Sequence, residues 1–484
     1  MKLFFIGWSG KELGMLDAIA LLKKHHDIVY VVGVKAEFEA CRNEFPGTIF
    51  HDYIDALHGV PPAEFQANIQ PADADLLKQL YETESIVLTM MNKHFERKTV
   101  TERRFLYYNY VSYWDATIKK YAPDAVIFPT IPHTVYDFVI YSLAKLYGIR
   151  TIMMEPTWIS DRVVIMRDYI KGPDFLYKKI VPPADISLAK LSPDMRKEYE
   201  LQTRGNSDAT PVFVKNIKHK YSGMRLFRIK LRSLFTTITV HKDILVVWKV
   251  FTRFFRRFRP HLRKEYEHFA VAPDFTTPYV YFPLHYQPER NSSPQGDIFV
   301  DQLYLAKVLA SSLPAGWRVY VKEHPTQWLY RGLDFFSYRF RGYYEALGRI
   351  PNVKIVPIDT DTYTLTARSR AVATITGTAG FEAVVRGKPV LVFGYPWYRG
   401  APGVFEVNSL ASCRKALQEI HDGFTFGKDD VLRYLHLLDA NSFHGYIDRD
   451  GQIISSLSPR ENAENLAFHI SSLLQNVWEP SKTI

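Results

Sequence analysis

The sequence predicts an α/β protein of two Rossmann-like domains whose parallel sheets face a central cleft. Three observations lead there. The chain has 484 residues, more than one hydrophobic core ordinarily serves. Strand and helix patterns alternate through the first half, break off, and start again. Between the two runs, residues 214–265 hold seven lysines and eight arginines against Asp243 and Glu265, a net +13 in a chain whose total is +10. The implied division is a domain over 1–210, a basic helical connector over 211–272, a second domain over 273–455, and a helix in 456–484 expected to pack back on the first domain.

Each element has its own signal. In the first half, "KLFFIG" reads as a strand, "KELGMLDAIALLKKH" as an amphipathic helix and "DIVYVVG" as a second strand. "PDAVIFP" is a short buried strand, "TVYDFVIYSLAKLYG" a helix ending at Gly148, and "IRTIMME" a further strand. After the basic stretch come the strands "PYVYFPL", "WRVYVKE", "VKIVP", "AVATIT" and "PVLVFG", with helices in "DIFVDQLYLAKVLASSLP" and "AGFEAVVRG". Short apolar runs separated by helices are the mark of parallel strands buried on both faces.

Composition removes several classes. Hydrophobic residues at 47% and aromatics at 14% exclude a disordered chain. Two cysteines, Cys41 and Cys413, make no disulfide framework and point to a reducing compartment. The start "MKLFFIGWSGKELG" lacks the apolar core of a secretory signal, and no stretch reaches the length of a transmembrane helix. A cytoplasmic protein is expected.

In an open parallel sheet, ligands bind beyond the carboxyl ends of the strands, and three polar motifs of the second half fall there. The first is Lys322-Glu323-His324-Pro325. Pro325 stops the strand and restricts His324 to extended geometry, where a lysine or histidine can donate to a phosphate. Taken alone, it is equally a strand that ends at a wet surface. The second is Thr376-Gly377-Thr378-Ala379-Gly380-Phe381-Glu382, a strand end running into a helix. Free N–H groups at the helix start, with two threonine hydroxyls, suit an anion, and Gly377 and Gly380 would let a ligand approach the backbone. Glu382, one turn on, could accept two ribose hydroxyls. The competing account is a threonine N-cap with a glutamate favoured by the helix dipole. The third is "FPLHYQPERN", with His285, Gln287, Glu289 and Arg290 where a strand opens into a loop. Three such clusters at the ends of one sheet suit a nucleotide phosphate best.

The combination "YFPLHYQPER", "VYVKEHPTQW" and "TGTAGFEAVVRGKPVLVFGYPWY" resembles the capsule polysaccharide biosynthesis glycosyltransferases, GT-B enzymes that include Kdo transferases. It is similar, more distantly, to polysialyltransferases and to the glycerophosphate polymerases of teichoic acid synthesis, which share a histidine–proline motif. The resemblance covers about Tyr279 to Arg399 most strongly. It implies a sugar nucleotide held by the second domain and an acceptor facing the first. By it, the histidine–proline motif falls on His324 and Pro325, the small hydroxyls on Thr376 and Thr378, and the ribose glutamate on Glu382. It also implies a CMP-linked ulosonic acid such as CMP-Kdo as first choice of donor.

Glycosyl transfer needs a stabilised leaving phosphate and an activated acceptor hydroxyl. Lys322, His324 and the helix start can supply the first. Glu289, with His285 beside it, is the candidate nucleophile or base in the donor crevice, and Glu155 at the end of "TIMME" is the candidate acid/base across the cleft. His133 and Asp137 are further acceptor-side candidates, spaced to face each other over one helical turn. Asp359-Thr360-Asp361 has the spelling of a metal motif but follows a different strand, and no metal or other cofactor is expected.

The basic stretch mixes cations with Phe, Leu, Ile and Trp at roughly helical spacing, which fits attachment to an anionic leaflet carrying a lipid-linked acceptor. A linker packed on the domains is the plainer reading, and nucleic acid is not expected. Alternatives to sugar transfer are a glycerol- or ribitol-phosphate transferase, a UDP-sugar 2-epimerase, and a non-catalytic polysaccharide assembly subunit.

Overall fold

The computed structural model describes the chain apart from residues 63–64, 66–68, 96, 177–185, 205–227, 229–230, 232–261, 288–291, 326, 329–338 and 476–484. Glu289 and nearly all of the basic stretch 214–265 therefore lie outside the described residues.

Thirteen strands among the described residues form two sheets. The first holds β1 (Lys2–Ile6), β2 (Asp27–Gly33), β3 (Ile49–Asp52), β4 (Ala125–Ile127), β5 (Arg150–Pro156), β6 (Arg162–Met166) and β13 (Phe443–His444), in the order β13-β6-β5-β4-β1-β2-β3. The second holds β7 (Tyr279–Pro283), β8 (Arg318–Lys322), β9 (Val353–Ile355), β10 (Ala371–Thr374), β11 (Val390–Val392) and β12 (Val404–Glu406), in the order β12-β11-β10-β7-β8-β9. Every pairing in the second sheet is parallel. The first is parallel except where β6 pairs antiparallel with β5 and β13.

Alternation puts opposite faces of each strand into different cores. Leu3 and Phe5 of β1 pack on one side, Phe4 and Ile6 on the other. In β7, Val280 and Phe282 face one core while Tyr279 and Tyr281 face another. The middle core is shared: it runs from Phe4 and Trp114 of the first domain to Tyr281 and Tyr398 of the second.

Two boundaries differ from the sequence division. β13 completes the first sheet, so residues from about 443 onward belong to the first domain rather than to a second domain ending at 455. The final helix, Pro459–Gln475, lies on the helix Met15–Lys23, with Asn462 donating to the Leu13 carbonyl at 2.8 Å. The helix Arg263–Phe269, assigned to the connector, buries Tyr266 in the second domain's core instead. The "AVATIT" strand is also shorter than expected, ending at Thr374, beyond which the Ile375 N–H donates to His285 Nε2 and the Gly377 N–H to the Thr374 hydroxyl.

Candidate active site

In each sheet the strand order reverses at one place, and it is beyond the carboxyl ends of the strands at such a point that open α/β sheets bind ligands. In the second sheet that place lies between β7 and β10, and in the first between β1 and β4.

At the β7–β10 point, His285 leaves β7 and is buried. Its Nε2 accepts from the Ile375 N–H at 3.3 Å and lies 3.0 Å from the Thr374 hydroxyl. That hydroxyl in turn accepts from the Gly377 N–H at 3.1 Å, leaving its proton to donate to His285. Nε2 is thus an acceptor, so the neutral ring carries its proton on Nδ1. His285 is held as a brace under the turn that starts the next helix.

That helix spans Thr378–Val385, with Gly377 at its N-cap and no side chain capping it. Thr376, Gly377 and Thr378 are half-buried around its start. The glycines differ from expectation. A Cβ on Gly380 would stand 2.3 Å from the Tyr398 hydroxyl, so a protein side chain, not a ligand, uses the missing carbon. That hydroxyl donates to the Gly377 carbonyl at 2.6 Å.

The Lys322–Pro325 motif resolves into several roles. Glu323 is fully buried, and Arg339 grips it with Nε to Oε2 at 3.0 Å and Nη2 to Oε1 at 3.1 Å. Tyr344 donates to Oε2 at 2.6 Å, and the His324 N–H to Oε1 at 2.7 Å. Arg339 also donates to the His285 carbonyl at 2.8 Å, which ties the ends of β7 and β8 together. A buried pair so fully hydrogen-bonded satisfies both charges. Lys322 directs Nζ to the Thr360 carbonyl and to the Thr362 hydroxyl at 3.0 Å, contacts with protein in place of the expected phosphate. His324 is half-buried, its ring 6.0 Å from that of Tyr286, and Pro325 is exposed.

Glu382 sits at the flank of the helix rather than at its mouth. Burial pushes its carboxyl up to about 7, with Arg386 pulling it down and Glu198 pushing it up further. The Arg386 guanidinium is 3.6 Å away, an ion pair where ribose hydroxyls were expected.

Glu155 ends β5 on the first domain and reaches across to the second. Its Oε1 accepts from Gln295 Nε2 at 3.1 Å, while its buried Oε2 has no partner. Gln295 is itself held between the Tyr395 carbonyl at 3.0 Å and the Tyr395 N–H at 2.9 Å. Burial pushes the Glu155 carboxyl up to about 8, and the buried Tyr398 ring feels its charge. The structure thus gathers Glu155, Gln295, Tyr398 and the helix start at Gly377 where the two domains meet.

His133 and Asp137 do not face each other as expected. The Asp137 carboxylate accepts from the backbone N–H groups of His133 at 3.1 Å and Thr134 at 2.6 Å, fixing the approach to the helix Tyr136–Leu146. Burial pushes Asp137 up to about 6. The His133 ring points Nδ1 at the Ile131 carbonyl. Asp361 of the metal-like spelling caps the helix Thr362–Arg368 through the Thr364 N–H at 2.7 Å.

Sequence reasoning missed Gln295, Tyr398, Thr374 and Arg339. Tyr398 closes the "GYPWY" run that carries the resemblance; Gln295 and Arg339 have no local signal, because their partners lie 140 and 16 residues away.

Two Rossmann-like domains meeting at a crevice with an uncapped helix start make the GT-B arrangement. Residues 296–426 match the family described as "Capsule polysaccharide biosynthesis protein". Over 161 residues, 32% of the chain, it is 29% identical to "Capsule polysaccharide modification protein LipA" of Neisseria meningitidis serogroup B (strain ATCC BAA-335 / MC58); the match spans 19% of that protein's length. Among solved structures it is similar to Thermosulfurimonas dismutans KpsC, a beta Kdo 2,7 transferase, at a TM-score of 0.31 and 12% identity, over 74% of this chain and 88% of that one. It is also similar to a UDP-GlcNAc 2-epimerase from Methanocaldococcus jannaschii at a TM-score of 0.25 and 11% identity, over 89% and 96% of the two chains. Among the described residues, no helix is long and apolar enough to cross a membrane, and no cluster of three or more His, Cys, Asp or Glu side chains is disposed to hold a metal ion.

Proposed function

We propose that this chain is a nucleotide-sugar-dependent glycosyltransferase of surface polysaccharide assembly. A CMP-linked ulosonic acid of the Kdo type is the donor of first choice, and a growing glycan or lipid-linked glycan is the acceptor. One observation carries the reading: an uncapped helix start at the β7–β10 switch point lies across the crevice from a buried carboxyl with an orphan oxygen.

In this reading the donor phosphate rests on the backbone N–H groups at Thr378 and Ala379, where the helix dipole favours an anion. Thr376, Thr378 and His324 add donors at the rim, and the charge that develops on the leaving phosphate is stabilised there. Glu155 takes the acceptor hydroxyl's proton on its orphan Oε2 while Gln295 holds Oε1. Burial pushes the Glu155 carboxyl up to about 8, so the ionised form that takes the proton grows as pH rises toward 8, and transfer should rise with it. Glu289 stays the candidate for a covalent route. No metal is needed. The basic stretch 214–265 would hold the enzyme at an anionic leaflet, where co-sedimentation with anionic but not neutral vesicles is the expected outcome.

The test is a thermal-shift titration with CMP, CDP, UDP and GDP, followed by incubation with CMP-Kdo and acceptor glycan. Stabilisation by CMP, weakened in His324→Ala, and acceptor-dependent CMP release are expected. Stabilisation by UDP alone would replace the donor, and release of sugar without acceptor would replace transfer by epimerase chemistry.

A further inference from the structure

A cavity of about 680 Å³ opens away from the crevice, between the helices Pro193–Thr203, Thr362–Arg368 and Lys428–Asn441 and the far end of the helix Thr378–Val385. Its size is that of an ordinary ligand site. Three of its lining residues are cations, Arg368, Arg386 and Lys428, and none is a carboxylate.

The cations are pre-positioned. Arg386 lies 4.1 Å over the Tyr363 ring and donates to the Gln202 carbonyl at 3.1 Å and to the Gln202 side chain. Lys428 stands 5.9 Å over the Tyr199 ring, and Arg368 4.9 Å over Phe275. Arg386 is already matched by Glu382 at 3.6 Å, so the groove's net positive charge comes from Arg368 and Lys428; Asp430, near Lys428 in the chain, accepts from the Gly427 N–H at 2.9 Å. Because cations already cover the faces of Tyr363 and Tyr199, the groove offers charge rather than bare rings for a nucleobase to stack on.

We infer that this groove binds an acidic stretch of the growing polysaccharide, as a subsite separate from the transfer crevice. The inference rests on the transferase reading, in which that polymer is the one extended polyanion. The shared helix sets the geometry: its N-terminus faces the donor and its C-terminus the groove, about 12 Å on at 1.5 Å per residue over eight residues. A chain held there would stay bound between transfers, which raises its local concentration at the crevice.

Calorimetric titration of the full-length protein tests this with hexagalacturonate, neutral maltohexaose and tripolyphosphate, on the wild type and on Arg368→Gln/Lys428→Gln. Hexagalacturonate should bind, maltohexaose should not, and the double variant should bind about tenfold more weakly. The thermal shift with CMP should be unchanged in the variant, since neither residue touches the crevice. Absent binding, or equal binding by wild type and variant, overturns the subsite while an intact CMP shift leaves the transferase reading standing. Tripolyphosphate binding as tightly as hexagalacturonate would make the groove a general anion site and overturn the glycan assignment. Loss of the CMP shift in the variant would overturn the separation from the crevice.

Discussion

Two buried carboxylates show how placement divides labour. Glu323 is met by Arg339, Tyr344 and the His324 N–H, and its work is to lock two strand ends together. Removing one partner would strand a charge in the core, so Arg339→Met should cost about 3–5 kcal/mol in urea denaturation; an unchanged midpoint would refute the locking role. Glu155 has one partner and one orphan oxygen, and its carboxyl is raised from 4.5 to about 8 by burial. An acid whose folded value lies above its unfolded one holds a proton the unfolded chain has released, so stability falls as pH rises from about 4.5 to 8. Glu155→Gln should therefore raise the melting temperature by a few degrees at pH 9 and by much less at pH 5, while abolishing transfer. Equal shifts at both pH values would remove the buried carboxyl as the cause. From sequence, Glu155 could be placed at a strand tip beside the cleft, but its partner Gln295 could not be named, since the two meet only when the domains do.

At the scale of elements, the helix Thr378–Val385 gives a prediction whose sign is the reverse of propensity. Glycine to alanine inside a helix ordinarily stabilises by up to about 1 kcal/mol. At Gly380 the new carbon would collide with the Tyr398 hydroxyl and with Thr374. Gly380→Ala should lower the melting temperature and weaken CMP binding together, as Tyr398 loses the Gly377 carbonyl; a stabilised variant would contradict the close approach. At the other end of the molecule, β13 is anchored by His444, whose Nδ1 meets Asp161 at 2.6 Å, with Arg162 and Asp194 alongside. The Asp161 hydrogen bond raises His444 above its usual value. Its stabilisation is full below the unfolded histidine value and lost as pH rises through the folded one. The wild type should exceed His444→Gln in melting temperature at pH 5.5 and lose much of that margin by pH 8. Partial exposure of the ring keeps the effect small. The strands and helices on either side of the crevice were legible because apolar runs and turn residues are local signals. β6, β12 and β13 were not, since a short strand of two to five residues at or next to a sheet edge takes its pairing from neighbours remote in sequence.

The whole molecule is interleaved rather than strung as beads. The chain leaves the first domain, builds the second, and returns to supply β13 and the helix Pro459–Gln475. Arg162 of β6 is buried among Asp194, Asp439 and Ser442, so the returning segment also closes an ionic cluster. Residues 1–204 expressed alone should fail to fold cooperatively, with a peptide of 428–475 restoring a sigmoidal melt; a cooperative melt of 1–204 alone would show the return to be dispensable.

By itself the sequence determined the α/β class, the two-domain count, most central strands and the run of polar motifs at the ends of the second sheet. Each follows from periodicity, turn chemistry or local composition, which travel with the chain. Only the tertiary structure decided what those polar residues touch. Glu323 became half of a buried ion pair, Lys322 a brace for the loop at Thr360, and Gly380 a seat for Tyr398. Each partner comes from another turn of the chain, and a buried charge or a missing carbon is answered by whatever the fold brings within a few ångströms.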